Sequence, residues 1–329
     1  MESTAKVSDA GPGWMFPRLS AGRVGVAVLL LIALPCILTL PWSAREYSQL
    51  VIVDPNQALC QPPTLKHPLG TDGLGRSLMW RCLMGGAISL GVGICAATIS
   101  VVIGVMWGAI AGLAGGRTDA FMMRIVDILY GLPYILLVVL VKIALQPTVA
   151  WALMGPGDFS TPEATGWLAI PKATANQWAA IVTLLIAIGG VSWLTMARVI
   201  RGQVLSLRAQ PFVEAARACG VGPMRILRVH LLPNLVGPIV VYTTLTVPTA
   251  ILQESFLSFL GIGVQLPLPS WGNLATDGVK ELHALASKTM VFRWWLAFWP
   301  CTLLGLTLLA LNFLGDALRN RLDPRRLKK

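Results

Sequence analysis

Charged side chains are scarce in this sequence: Asp, Glu, Lys and Arg make up 12% of its 329 residues, about half the share of an ordinary soluble domain. That leaves too little polar side chain to cover a water-facing surface. With 55% hydrophobic residues and a mean hydropathy of +0.69, the expected class is an all-α polytopic membrane protein. No G-x-x-x-x-G-K-[ST] stretch is present, and none of the eight lysines stands in such a frame. The chain is therefore expected to hydrolyse no ATP itself. Histidine is nearly absent: His67, His230 and His283 fall on separate segments, and no C-x-x-C spacing occurs. Neither a metal site made by this chain alone nor any other bound cofactor is expected. No hydrolytic constellation stands out, so the chain is not read as an enzyme. The net charge of +11 comes without a nucleic-acid-binding motif, so nucleic acid is not an expected partner. The basic residues are read against a lipid bilayer instead.

What is present is a series of long apolar runs. Crossing the hydrocarbon core takes about 20 residues of helix. The 21 residues between Arg23 and Arg45 are uncharged, as are the 35 from Cys82 to Gly116, the 25 from Ala173 to Ala197 and the 22 from Trp294 to Gly315. Asp119 to Leu145 is apolar apart from Arg124, Asp127 and Lys142, and Val229 to Gln253 follows the same pattern after His230. Six transmembrane helices are expected. The first run exceeds the apolar core of a cleaved signal peptide and ends at the interfacial pair Pro41-Trp42, so a retained anchor is expected.

Lys and Arg set the orientation. With the N-terminus inside, the cytoplasmic segments hold 17 of the 26 basic residues, six of them in the tail from Arg319 to Lys329. This satisfies the positive-inside rule and places the tail against the inner leaflet. Both termini are then cytoplasmic. The outer segments, including GPGDFSTPEATG between Gln146 and Gln177, have loop composition. Cys60 and Cys82 fall in the first outer stretch, where a bond between them is geometrically open but unsupported by spacing.

One polar segment stands out between the fourth and fifth runs. Pro211 suits the first turn of a helix, Glu214 favours the positive end of the dipole, Ala215 and Ala216 are strong helix formers, and Gly220 suits a left-handed terminator. These predict a helix of about two turns with a small-residue face. Pro223 opens a second stretch in which Met224, Leu227 and Leu231 recur on one face and Arg225 and Arg228 on another, fit to lie at the membrane surface. Pro233 is expected to end or kink it. The residues alone leave two readings open: a docking element for another protein, or a surface loop.

Glu214-Ala215-Ala216, three residues, Gly220, then Leu232-Pro233 resembles the EAA-x3-G-x9-I-x-LP loop of ABC importer permeases. His230-Leu231-Leu232-Pro233-Asn234 is similar to the variant found in the dipeptide, oligopeptide and nickel branch. Three more stretches resemble that branch: His67 to Arg76 (HPLGTDGLGR), Leu257 to Gly263 with Pro269-Ser270-Trp271-Gly272-Asn273, and Asn312 to Asp316 with Leu322-Asp323-Pro324-Arg325. Their order matches the second of the branch's two permease subunits. The resemblance implies an ABC type I importer transmembrane domain in a bacterial inner membrane. It divides the chain into a cytoplasmic tail at 1–22, a first crossing at 23–45, an outer segment at 46–84, a core at 85–315 with a coupling loop at 201–235, and a basic tail at 316–329. It assigns ATPase coupling to Glu214, Ala215, Ala216, Arg217, Gly220, Leu232 and Pro233, and places Asp72 and Arg76 on the face where a substrate-binding protein docks. A local turn held by an Asp–Arg pair is the other reading of those two residues. The implied partners are a second homologous permease, a binding protein, and two cytosolic ATPases that would use ATP and magnesium. The implied cargo is a di- or oligopeptide, with nickel complexes as the alternative on the same machinery. An autonomous secondary transporter is the competing class.

Intramembrane charges are candidates for a pathway or gate. Asp127 is read as lying within the third crossing, either lining a path or pairing with Arg124 one turn away. Glu254 is read near the outer end of the fifth crossing, touching water, with a gating role open. Lys142 is expected to snorkel to the interface. Gly131-Leu132-Pro133 and Pro248 are candidate hinges or static kinks. Gly104 and Gly108 stand at a small-residue spacing that favours close helix packing.

Overall fold

The computed structural model describes residues 18–51, 59–154, 172–284 and 293–322. Lys6, the stretch GPGDFSTPEATG and the ending from Asp323 lie outside the described residues. The elements in order are α1 (Arg18–Leu38), α2 (Leu40–Glu46), α3 (Leu78–Ala114), α4 (Gly116–Tyr130), α5 (Tyr134–Met154), α6 (Lys172–Arg208), α7 (Pro211–Ala218), α8 (Pro223–Arg225), α9 (Leu232–Phe259), α10 (Trp271–Ala284) and α11 (Trp295–Leu322). A π-turn, Ile226–Leu231, joins α8 to α9. Two isolated bridges, Leu50 with Arg76 and Thr71 with Ser77, are the only β pairing among the described residues.

Five helical stretches are long and apolar enough to cross a membrane: Leu78–Ala114, Tyr134–Leu153, Thr174–Arg208, Pro223–Phe259 and Trp295–Arg321. The first apolar run supplies a sixth as a bent pair, α1 and α2 meeting at 62°. Pro41 in the first turn of α2 has no N–H to continue α1, and Thr39 turns its hydroxyl back onto the Pro35 carbonyl at 2.7 Å, so the run breaks there. Large apolar side chains face outward along the spans: Leu31 is 75% exposed and Ile143 63%. Such a surface is stable against lipid and not against water.

The third run is corrected. It is broken where the sequence flags it: α4 ends at Tyr130, the chain passes through Gly131-Leu132-Pro133, and the candidate span starts at Tyr134 rather than Asp119. The fifth differs as well, because the helix continues through Pro233 instead of ending there.

α3 packs lengthwise on α6 at the centre of the bundle. A Cβ added to Gly104 would come 2.5 Å from Met196 Cβ, one on Gly108 3.0 Å from Ile200 Cβ, and one on Gly112 2.8 Å from Val204 Cβ. Both helices advance by four residues per contact, so the small face of α3 lets the backbones meet side by side. In lipid this close van der Waals contact replaces the hydrophobic drive that folds a soluble core. α1 pairs with α11, α5 packs on α6, and α9 lies against α3 and α11.

Candidate functional site

α7 is built as the sequence indicates. Gln210 caps it with extended geometry and Pro211 occupies its first turn. At its end the Gly220 N–H donates to the Arg217 carbonyl at 2.9 Å and the Val221 N–H to the Ala216 carbonyl at 3.1 Å. These two bonds satisfy carbonyls the helix would leave open. Gly220 sits at φ 75° with open space where a Cβ would stand, so the requirement for glycine there is backbone strain and not crowding.

Val213 is fully buried and roots the helix. It packs in a cluster with Ile200 and Val204 of α6, Ile226, Leu227 and Leu231 of the π-turn, and Leu235 of α9. Glu214, Ala215, Arg217 and Gly220 are exposed, and Phe212 is 41% exposed. α7 is thus a short projection with one buried anchor and an outward face of small and charged residues. Leu232 and Pro233 do not belong to that face. They begin α9, where the wide turn before Pro233 relieves the clash of its ring with the carbonyl one turn back. The amphipathic stretch after Pro223 buries Leu227 and Leu231 in the root of α7 and α9, while Met224, expected on the same face, is 54% exposed.

Three arginines on α6 tie this end to the rest of the bundle. Arg208 Nη1 donates to the Gly112 and Leu113 carbonyls at 2.9 and 3.0 Å, satisfying the end of α3. Arg201 forms a two-pronged bond to Asp119 of α4, 2.5 Å on each prong. Arg198 donates to Asp127 at 2.8 Å and lies 3.9 Å over the Tyr130 ring. Sequence reasoning missed these links because the partners are 71 to 96 residues away. The available signal was spacing: positions 198, 201 and 208 fall within about 80° on a helical wheel.

Several expected positions change. Asp127 lies on α4, before the break, with its side chain 58% exposed, and pairs with Arg198 rather than Arg124. Glu254 does not touch water. It is fully buried and accepts from Ser89 at 2.8 Å, Ser258 at 2.7 Å and Ser255 at 3.2 Å. Lys142 does not snorkel. It is 3% exposed and its Nζ donates to the carbonyls of Ile262 and Gly263.

At the opposite end from α7, Asp72 is 4% exposed. Its carboxylate accepts from the Leu74 and Arg76 N–H groups at 2.9 and 2.8 Å, from Arg76 Nε at 2.8 Å and from Arg81 Nη1 at 2.6 Å. Asp72 and Arg76 therefore hold a turn together. Cys60 and Cys82 are both free. Cys60 donates to the Thr71 carbonyl at 3.4 Å, and burial pushes its thiol up to about 11. Between the two ends, α4, α5, α6 and α9 line an open-sided cavity of about 570 Å³ that takes in Tyr130. Among the described residues, no group of three or more His, Cys, Asp or Glu is placed to hold a metal ion.

Residues 104–328 match the family described as binding-protein-dependent transport system inner membrane component. The chain is 42% identical over 264 residues to the dipeptide transport system permease protein of Bacillus subtilis, covering 80% of this chain and 70% of that one. It is 38% identical over 328 residues to the oligopeptide transport system permease protein of Escherichia coli, covering 99% and 93%. The corresponding oligopeptide permease of Bacillus subtilis is 37% identical over 302 residues, covering 92% and 85%. The multi-pass helical bundle, the projecting α7 on its arginine-tied root and this match over most of the chain agree: the protein belongs to the binding-protein-dependent transport system inner membrane component family.

Proposed function

We propose that the chain is one of two homologous permease subunits of an ATP-driven importer of di- or oligopeptides, and that α7 is where it receives mechanical work. The carrying observation is the build of α7: one buried anchor, an outward small-residue face and a root shared by α6 and α9. A short helix with Ala215 on its open face admits close approach by another protein, while Ala216 packs half-buried against the root and Glu214 and Arg217 offer charge-assisted bonds. Movement of the root is movement of two spans. The chain itself is non-catalytic in this reading; ATP and magnesium are used by two cytosolic ATPases that dock on α7. The positive-inside distribution supports cytoplasmic termini and a cytoplasmic α7. A binding protein delivers solute at the other end, and the names of the relatives support peptide cargo.

Replacing Gly220 with Val tests this. A branched side chain at φ 75° is strained by about 1–2 kcal/mol or more, so the end of α7 unwinds. Expected are normal amounts of protein in the membrane, loss of ATPase co-purification and at least tenfold slower peptide uptake. Glu214→Ala should act in the same direction with smaller effect. Undiminished uptake with both variants would remove the coupling role from α7. Uptake by the purified chain in liposomes, driven by an ion gradient without any ATPase, would favour an autonomous transporter.

A further inference from the structure

The cavity among α4, α5, α6 and α9 has a lining without fixed charge. Among the residues that line it there is no Asp, Glu, Lys, Arg or His. Its volume of about 570 Å³ falls within the range of small-ligand cavities, about 300–1,000 Å³. Three of its polar side chains converge at one place. The Tyr134 hydroxyl donates to Gln253 Oε1 at 2.6 Å, and the single proton of the Ser192 hydroxyl is shared between the Tyr134 oxygen at 3.2 Å and Gln253 Oε1 at 3.5 Å. The carboxamide oxygen of Gln253 is thereby held from α5, with α6 bracing the tyrosine, and its Nε2 has no hydrogen-bond partner among the described residues.

The next residue fixes the helix rotation. Glu254 is turned about 100° from Gln253 and is wrapped by serines of α3 and α9, so α9 is pinned with Gln253 toward the cavity. The threonines of the same wall bond their own helix: Thr246 to the Tyr242 carbonyl and Thr249 to the Thr246 carbonyl, both at 2.7 Å. Their donors are occupied and their methyl groups remain. What the wall offers a passing solute is an amide donor fixed by its neighbours, with the hydroxyls of Tyr130, Thr195 and Tyr242 elsewhere in a neutral, partly apolar surround.

That chemistry suits a peptide carbonyl. An anionic chelate would lose its hydration and meet no cation among the lining residues, which is costly in such a wall; Arg198, over the Tyr130 ring, is already paired with Asp127. A single neutral hydrogen bond is also weak enough to release what it holds, as a conducting site requires. We propose that Gln253, positioned by Tyr134 and Ser192, is a contact for the backbone carbonyl of a peptide in transit, reading the main chain and not the side chains. This rests on the peptide-importer reading above.

The test uses the complete complex in liposomes with saturating binding protein. The probes are trialanine and its analogue with the central carbonyl replaced by thiocarbonyl, a poorer acceptor. Loading of the binding protein by each probe is measured separately, and rates are compared at equal loading. Wild type is expected to carry the analogue about three- to tenfold more slowly. Gln253→Met should slow trialanine by a similar factor and bring the ratio of the two rates near one. Tyr134→Phe, which keeps the ring and frees the carboxamide, should move both quantities the same way but less. Both variants must co-purify with the ATPases as wild type does, and a wild-type rate or an unchanged ratio in assembled Gln253→Met overturns the proposal. A wild-type complex that hydrolyses ATP with loaded binding protein yet carries neither probe overturns the peptide reading, and this inference with it.

Discussion

The two ends of the bundle are held by different physics. At the α10 end most of the pins are buried, the exception being the Arg293–Glu281 pair at 35% and 30% exposed. Asp72 and Arg81 are 4% and 1% exposed, and Lys142 is 3% exposed. The Trp295 indole donates to the Thr71 carbonyl at 3.3 Å and the Trp271 indole to the Cys82 carbonyl at 3.0 Å. At the α7 end the ties are half-open to solvent: the Arg201 and Arg198 side chains are 33% and 37% exposed. Buried charges cannot be separated without a large penalty, whereas pairs open to solvent exchange partners cheaply. One end is therefore built to keep its shape, and the end that carries the projecting helix is built to rearrange.

Removing a buried pin gives the largest expected effect. Asp72→Ala strips Arg76 and Arg81 of their shared carboxylate and leaves the buried Arg81 guanidinium with only the longer contact to Asp277 at 3.7 Å, a cost of about 3–5 kcal/mol. Loss of most folded protein from the membrane is expected, seen as yield and as melting in detergent; a melting midpoint equal to wild type would erase the contrast between the ends. An intermediate effect is expected from Arg201→Met, which removes both bonds to Asp119, about 1–3 kcal/mol after allowance for exposure. Assembly should survive while the ATP consumed per solute carried rises severalfold in liposomes. Tight coupling in that variant would mean that the tie between α6 and α4 transmits nothing. The smallest effect belongs to Asp127→Asn, whose pair with Arg198 is worth about 0–1 kcal/mol. Stability and assembly should stay near wild type, and abolished uptake in an assembled complex would give Asp127 a role in the path that its pairing alone does not supply.

Local patterns were legible in the sequence and distant pairings were not. The six apolar runs, the glycine face of α3, the break at Gly131-Leu132-Pro133 and both caps of α7 depend on residues a few positions apart, so one chain segment carries the whole signal. Glu254 shows the opposite case. A carboxylate near a helix end reads as water-facing, and what buries it is a hydroxyl from Ser89, 165 residues away. Lys142 departs from expectation for the same reason, since its acceptors are backbone carbonyls 120 and 121 residues on and leave no mark in residue type. Gln253 is uncharged and stands beside an ionisable neighbour, so the intramembrane-charge criterion does not single it out. A lone carboxamide in an apolar run was the clue.

The glycine steps between α3 and α6 have a mechanical consequence. Each helix is 37 residues long, about 55 Å at 1.5 Å per residue. Sliding one along the other would drive the Met196, Ile200 and Val204 side chains into backbone. The pair can tilt but cannot telescope, and it behaves as a stiff plank. A nudge at the α7 tip then reaches the far side of the bilayer as a swing of comparable size and opposite sense, with no hinge in between to absorb it.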